Sequence, residues 1–399
     1  MKYTLKFLFV TFLTCLILCS CVGKKEINQL GIVSATAIDY DSESREFVIT
    51  AAVITPVSAS AGKKEGDTGG TGIWIATERG KTFLDATRNL RLRSPLALMW
   101  NHCKVYVIGK NAASEVLHEI IDTFARHRDL KYSSWLLLTP ENASDILKVK
   151  TEVSKDISTE ILGMVDTLQE HGRSYTLNIK DFLANMSDIH SDSMLGRIIT
   201  VPKDTMDNQE GGGKQTGDSK TIILEGMGVI KNGKLAGWLN ADETRAFLLA
   251  TGKLKRDIVP IIYEDSKISV EISKVKTKID PVIENKRLIF NIRINYIGNI
   301  LGMSLKENTK FLGRIDIIEN LLENTTKEDV LSTIRKVQEQ YNADIFDFKG
   351  AVYRKYPNYF KSIQDKWYDL YKDADFNVSV DATIDETGDI AEPIMKESK

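Results

Sequence analysis

The chain is poor in the residues that most often carry chemistry. It has four cysteines, five histidines and eight prolines in 399 residues. The histidines (His102, His118, His127, His171, His190) form no HExxH and no i, i+4 pair, so the usual helical zinc site is absent from the sequence. Only one cysteine, Cys103, is expected to stay free once the N-terminus is processed, too few for a Cys/His zinc module. Charge is nearly balanced, 53 basic against 55 acidic residues, which removes the electrostatic case for nucleic acid. Beyond the N-terminus there is no run of 18 or more apolar residues, so no later helix reads as a membrane span.

The N-terminus itself is distinctive. Lys2 and Lys6 precede an apolar run, Phe7 to Leu18, that is too short to span a bilayer as a helix and suits a signal peptide. Leu18-Cys19-Ser20-Cys21 fits a lipoprotein processing box. Ser20 is small enough to admit a peptidase to the bond, Leu18 supplies the aliphatic side chain, and the Cys21 thiol takes a diacylglycerol. Cys19 cannot be the processed residue, because bulky Leu18 precedes it. Residues 1–20 are thus expected to be a signal and Cys21 the lipid-bearing first residue. Two acyl chains suffice for stable anchoring where one does not. Removing 20 residues from 399 leaves 379, enough for two or three domains. Cys15 and Cys19 leave with the signal and Cys21 is acylated. Only Cys103 remains, so the mature chain has no intramolecular disulfide.

Along the body, β-branched runs alternate with helical periods, which predicts an α/β (α+β mixed) protein with helices packed on mixed sheets. Ile32–Asp39 and Glu46–Ile54 read as a hairpin, and Ser58–Gly72 as a loop. Helices are expected over Lys81–Leu92, Ala112–Arg126, Pro140–Lys148 and Lys155–Glu170, with strands over Cys103–Ile108 and Ser133–Leu138. The stretch 203–220, with Gly211-Gly212-Gly213, is a linker or loop. Asn232-Gly233 between apolar runs signals a type I′ hairpin, since both positions need positive φ. Asn240 should cap a helix over Ala241–Ala250, with Glu243 closing a capping box. Lys267–Lys278 alternates with a slip near Lys274 that suggests a bulge. It pairs in pattern with Arg287–Tyr296. A helix over Lys327–Tyr341 and a strand over Phe376–Ile384 follow. The expected division is 21–202, the linker 203–220, a small middle region 221–262 and a C-terminal domain 263–399. A weaker second break is expected near Arg256–Ser266.

Candidate sites are sparse. Gly80-Lys81-Thr82 resembles the end of a phosphate loop, but Ile75 stands where the first glycine is required. Cys103 beside His102 is a formal nucleophile–base pair, yet strand neighbours point to opposite faces, and a buried thiol packed with Val105 and Val107 is the expected role. No catalytic, metal-binding or cofactor-binding residues are assigned, and no enzyme activity is expected. Arg354-Lys355-Tyr356-Pro357 with Tyr359 and Phe360 reads as packing, with a partner surface as the alternative.

Three stretches resemble the Ger(x)C family, the C-subunit lipoproteins of GerA-type spore germinant receptors. They are Lys25–Val33 running on to Ile38-Asp39, Gly228–Arg245 including Trp238 and Glu243, and Asp344–Gly350 with Tyr353–Pro357 and Trp367. This chain departs from the family in having Val22-Gly23 after the cysteine and Phe360 where Trp is common. The resemblance implies three α/β domains in series and no catalytic activity. It implies a position on the outer face of the spore inner membrane, partnership with a membrane A subunit and a transporter-like B subunit, and a response to small nutrients. Whether this subunit touches nutrient is left open. The alternative class is a solute-binding lipoprotein of a transporter, which requires a cleft with convergent polar groups. A cell-envelope hydrolase would need a nucleophile or metal constellation that the sequence does not offer.

Overall fold

A computed structural model describes residues 3–4, 6–7, 29–55, 72–168, 171–187, 192–203, 220–263, 266–285, 287–304 and 315–386. The signal run, Cys21 and most of both proposed loops lie outside the described residues. The chain forms two domains in series, each built on one sheet, in a mixed α/β arrangement.

The first sheet runs in the order β10-β9-β8-β6-β5-β1-β2-β3. These strands are β1 Leu30–Asp41, β2 Glu46–Ile54, β3 Ile73–Gly80, β5 Val105–Gly109, β6 Trp135–Thr139, β8 Ser193–Pro202, β9 Lys220–Lys231 and β10 Lys234–Leu239. Short β4 (Ala97–Met99) pairs with β1, and β7 (Leu177–Asn178) with β6. The centre, β1-β5-β6-β8, is parallel, and both wings are antiparallel. Parallel strands need cover on both faces, and β5 is buried at every position. One face packs on α4 (Ala143–Lys148) and α5 (Ile157–Thr167) through Val105, Val107 and Leu137. The other, through Tyr106, Ile108 and Leu138, meets α1 (Phe83–Arg93), α2 (Lys110–Glu115), α3 (Leu117–Arg126) and α6 (Ile179–Ser187).

Three details differ from the sequence reading. The helix expected over Ala112–Arg126 breaks at Val116 (φ −125°, ψ 14°), although Val116, Leu117, Ile120 and Phe124 stay buried across the break. Cys103 precedes β5 and packs with Tyr106 and Ile108, on the opposite face from Val105 and Val107. The strands on either side of 203–220, β8 and β9, pair within the first sheet, and the second sheet opens with β11 (Arg256–Tyr263), at the weaker of the two expected breaks.

The second sheet is ordered β11-β12-β13-β14, with β12 Ser266–Glu284, β13 Arg287–Ser304 and β14 Asp375–Glu386; β14 runs parallel to β13. The bulge falls where expected: Lys274 has φ 51° and register shifts between Ser273 and Lys276. Its effect is on parity. Ile268, Val270 and Ile272 face the core before it, and the odd-numbered Val275, Ile279 and Ile283 pack there after it. An extra residue is what moves a strand's inward set by one position. The sheet is covered by α8 (Ile315–Arg335), a π-helical turn over Lys336–Gln340, and α9 (Phe348–Lys355), α10 (Pro357–Ile363) and α11 (Trp367–Lys372).

Between the sheets, Asn232 (φ 50°) and Gly233 (φ 69°) form the β9–β10 turn, and α7 (Ala241–Ala250) starts at a complete capping box. The Asn240 side chain accepts from Glu243 N–H at 2.9 Å, and Glu243 accepts from Asn240 N–H at 2.8 Å. Asn240→Ala should cost about 1 kcal/mol and Asn240→Asp much less, measured by urea denaturation of the mature chain.

Candidate functional site

The two later motif stretches, far apart in sequence, meet at the joint between the domains. Three side chains of the β9–β10–α7 segment reach across it, and one from the second domain reaches back. Lys231, one residue before the turn, donates to the Asn342 carbonyl and lies 3.7 Å over the Tyr368 ring. The Tyr341 hydroxyl donates to the Trp238 carbonyl at 2.9 Å, and a Cβ at Gly237 would stand 2.2 Å from the Tyr341 ring, so a side chain there is excluded. Glu243, besides closing its cap, accepts from Lys336 through both oxygens at 2.8 Å. Arg245 pairs with Asp242 at 2.8 Å and with buried Asp257 of β11 at 3.5 Å. Lys336 opens the π-helical turn, whose Gln338 donates to the Tyr371 carbonyl at 2.6 Å. The π turn closes the long helix, with Lys336 reaching across the joint and Gln338 turned into the second domain.

Beside this lies a pair of carboxylates. Asp192, at the start of β8, donates its N–H to the Asp344 carbonyl at 2.8 Å, and Asp344 N–H returns a bond to Asp192 Oδ2 at 2.7 Å. The Tyr368 hydroxyl donates to the same Oδ2 at 2.9 Å. The Asp344 carboxylate accepts from Phe348 N–H at 3.1 Å and Lys349 N–H at 2.7 Å, the first turn of α9. Burial raises the Asp192 carboxyl above its ordinary value, and full burial drives Asp344 from 3.8 to about 7, against the pull of its two backbone donors.

A cavity of about 590 Å³ lies near the joint, lined by Trp135, Tyr175, Leu248, Lys253, Leu254 and Val275 among others. Two of its hydroxyls are engaged in the fold: Ser174 donates to the Gly226 carbonyl at 2.8 Å, and Thr176 to the Leu136 carbonyl. Lys253 packs its ammonium over Tyr175 (4.9 Å) and Phe247 (5.4 Å), and burial lowers its pKa. No convergent polar set of the kind a solute-binding cleft requires is formed by these groups.

The remaining candidates are structural. Cys103 is buried, bonded to Thr36 Oγ1 at 3.3 Å and donating to the Val105 carbonyl at 3.4 Å, and burial pushes its thiol up to about 11. A thiol so protonated is a poor nucleophile, and His102 is exposed beside it. Thr82 of the phosphate-loop-like triplet caps α1 by accepting from Asp85 N–H at 3.1 Å. In the basic aromatic stretch, Arg354 pairs with Asp347 at 2.8 Å, Lys355 pairs with Asp280 at 2.7 Å and Phe360 is buried. Packing accounts for most of it, with Tyr353 left exposed. Among the described residues there is no group of three or more metal-ligating side chains, and no helix is long and apolar enough to cross a membrane.

This two-sheet fold with an interlocked joint is that of a spore germination protein. Residues 23–200 match the family described as spore germination protein N-terminal domain, and residues 225–388 match spore germination B3/GerAC like, C-terminal. The chain belongs to the Ger(x)C family. It is 27% identical to spore germination protein B3 of Bacillus subtilis (strain 168), over 95% of this chain and 97% of that one. It is 23% identical to spore germination protein KC of the same organism, over 97% of each. A crystal structure of the GerBC protein covers 90% of this chain with a TM-score of 0.56 at 21% identity, a likeness of fold.

The sign of the Asp344 effect follows from its raised pKa. Its contribution to stability is fully present below the unfolded value of 3.8 and is lost as pH rises through about 7. Asp344→Asn removes this titration while keeping a carbonyl acceptor for α9. Urea denaturation between about pH 5 and pH 8 should therefore show the wild type losing stability relative to Asp344→Asn as pH rises.

Proposed function

We propose that this protein is the lipid-anchored C subunit of a spore germinant receptor, a non-catalytic scaffold that holds its A and B partner subunits in a signalling geometry at the outer face of the spore inner membrane. The observation that carries the reading is the processing box ending at Cys21, followed by a body that aligns with spore germination proteins over nearly its full length. The names of those relatives supply the process. The resemblance to the C-subunit lipoproteins supplies the position and the partners. The chemistry of the box supplies the anchor.

The physical logic is confinement. A diacylglycerol thioether on Cys21 restricts the body to the membrane plane and raises its effective concentration against membrane partners. Two acyl chains give lasting attachment. The Ser174 and Thr176 hydroxyls beside the cavity are taken up by backbone carbonyls and give no support to a solute-binding role.

Cys21→Ala should release the protein from membranes, abolish its co-purification with A and B subunits and strongly reduce the nutrient response. Mass spectrometry of native material should find residues 1–20 removed and a diacylglycerol on Cys21. Intact assembly and response in the variant would refute the tethering role.

A further inference from the structure

We infer that the exposed face of α1 is a second membrane contact, seating Leu84 and Leu92 against an anionic bilayer surface with Arg88 and Arg91 at the headgroups. This rests on the Cys21 anchor for its placement.

The first observation is composition along one helical stripe. Leu84, Arg88, Arg91 and Leu92 fall at i, i+4, i+7 and i+8, positions that share one side of a helix, and all four are exposed. Leu92 is 81% exposed and Leu84 46%, although the same helix buries Phe83, Ala86 and Leu90 against the sheet. The second is charge. Arg93 is paired with Glu78 at 3.0 Å, but Arg88 and Arg91 make no ion pair among the described residues. Asp85, the helix's own carboxylate, is engaged in its cap, accepting from Lys81 N–H at 3.0 Å. A face with aliphatic tips between free arginines matches a headgroup–acyl boundary carrying negative charge.

The third observation is where the chain enters the fold. Described strand begins at Leu30, whose register partner is Ala97, and a Cβ at Gly31 would stand 3.3 Å from Leu96 Cβ. The anchor therefore joins the body beside the segment that leaves the C-terminal end of α1, four residues after Leu92. Leu30 stands nine positions after Cys21, a reach of about 30 Å when fully extended. The lipid thus holds this end of the body near the bilayer, and the C-terminal end of α1, with Leu92 and Arg91, runs directly into the segment that pairs with Leu30. Short reach and a charge-complementary face select a lipid surface over an acidic protein as the occupant.

The test uses the mature chain with Cys21→Ser, so that acylation plays no part. Flotation with vesicles of phosphatidylglycerol and phosphatidylcholine in roughly equal parts should recover the protein at low salt, whereas vesicles of phosphatidylcholine alone should not. Each of Arg88→Gln and Arg91→Gln should weaken binding roughly fivefold, and Leu92→Ser should weaken it further. Lys361→Gln with Lys366→Gln, on exposed α10–α11 positions, should leave it unchanged. No binding by the chain with native α1, or equal binding by a variant combining Arg88→Gln, Arg91→Gln and Leu92→Ser, overturns the proposal. So does loss of co-purification with the partner subunits while vesicle binding persists, which would make the face a protein interface. Because the assay omits the lipid, its failure is distinguishable from failure of the anchor, which mass spectrometry reads separately.

Discussion

The reciprocal bonds between Asp192 and Asp344 are the constraint on which the arrangement of the two domains most depends. They connect the start of a strand in the first sheet to the segment that launches the helical layer over the second. Each aspartate uses backbone and side chain together, so neither domain can shift along the other without leaving buried polar groups unpaired. Such groups cost roughly 1–3 kcal/mol each when orphaned. Raised carboxyl pKa values are the other side of the same arrangement: water has been removed from around both acids. The neighbouring pairs, Glu243–Lys336 and Arg245–Asp257, repeat the pattern of a group that serves its own element first and the joint second.

That double duty explains why the joint was only half legible in the sequence. The Asn232-Gly233 turn, the Asn240–Glu243 box and the bulge at Lys274 were all readable, because each is a rule about residues within four positions of one another. The likeness of Gly228–Arg245 and Asp344–Trp367 to one family was readable too. Their mutual contact was not. Lys231 and Asn342 are 111 residues apart, and Asp192 and Asp344 are 152 apart, and no local period encodes a pairing at such distance. An isolated acidic residue looks like solvated surface until the fold removes its water.

The same limit accounts for the misread elements. Apolar spacing from Val116 to Phe124 is satisfied on either side of a backbone break, so periodicity cannot register it. Cys103 was placed on the face of Val105 and Val107 by strand alternation, but that rule holds only inside a strand, and β5 begins two residues later. No local signal ties β9 to β8 across 203–220, whereas the second sheet opens at Arg256, beside the weaker expected break. Pro260 is tolerated because β11 is an edge strand, where a missing donor faces no partner.

A tether and a joint answer different mechanical needs. A lipid at Cys21, as proposed, would fix position, but a single point of attachment sets a radius and no orientation. A scaffold that biases its neighbours needs orientation as well, because a contact has a preferred state only when its partner arrives at a set angle. Within the protein, the interlocked carboxylates and the Lys231–Tyr368 contact hold one domain against the other. Between protein and bilayer, a second contact away from the anchor is the minimum that would remove the swivel. The free arginines and exposed leucines of α1 stand beside the point where the leader enters the fold, so the orientation they would impose passes through the first sheet into the joint and on to the second domain.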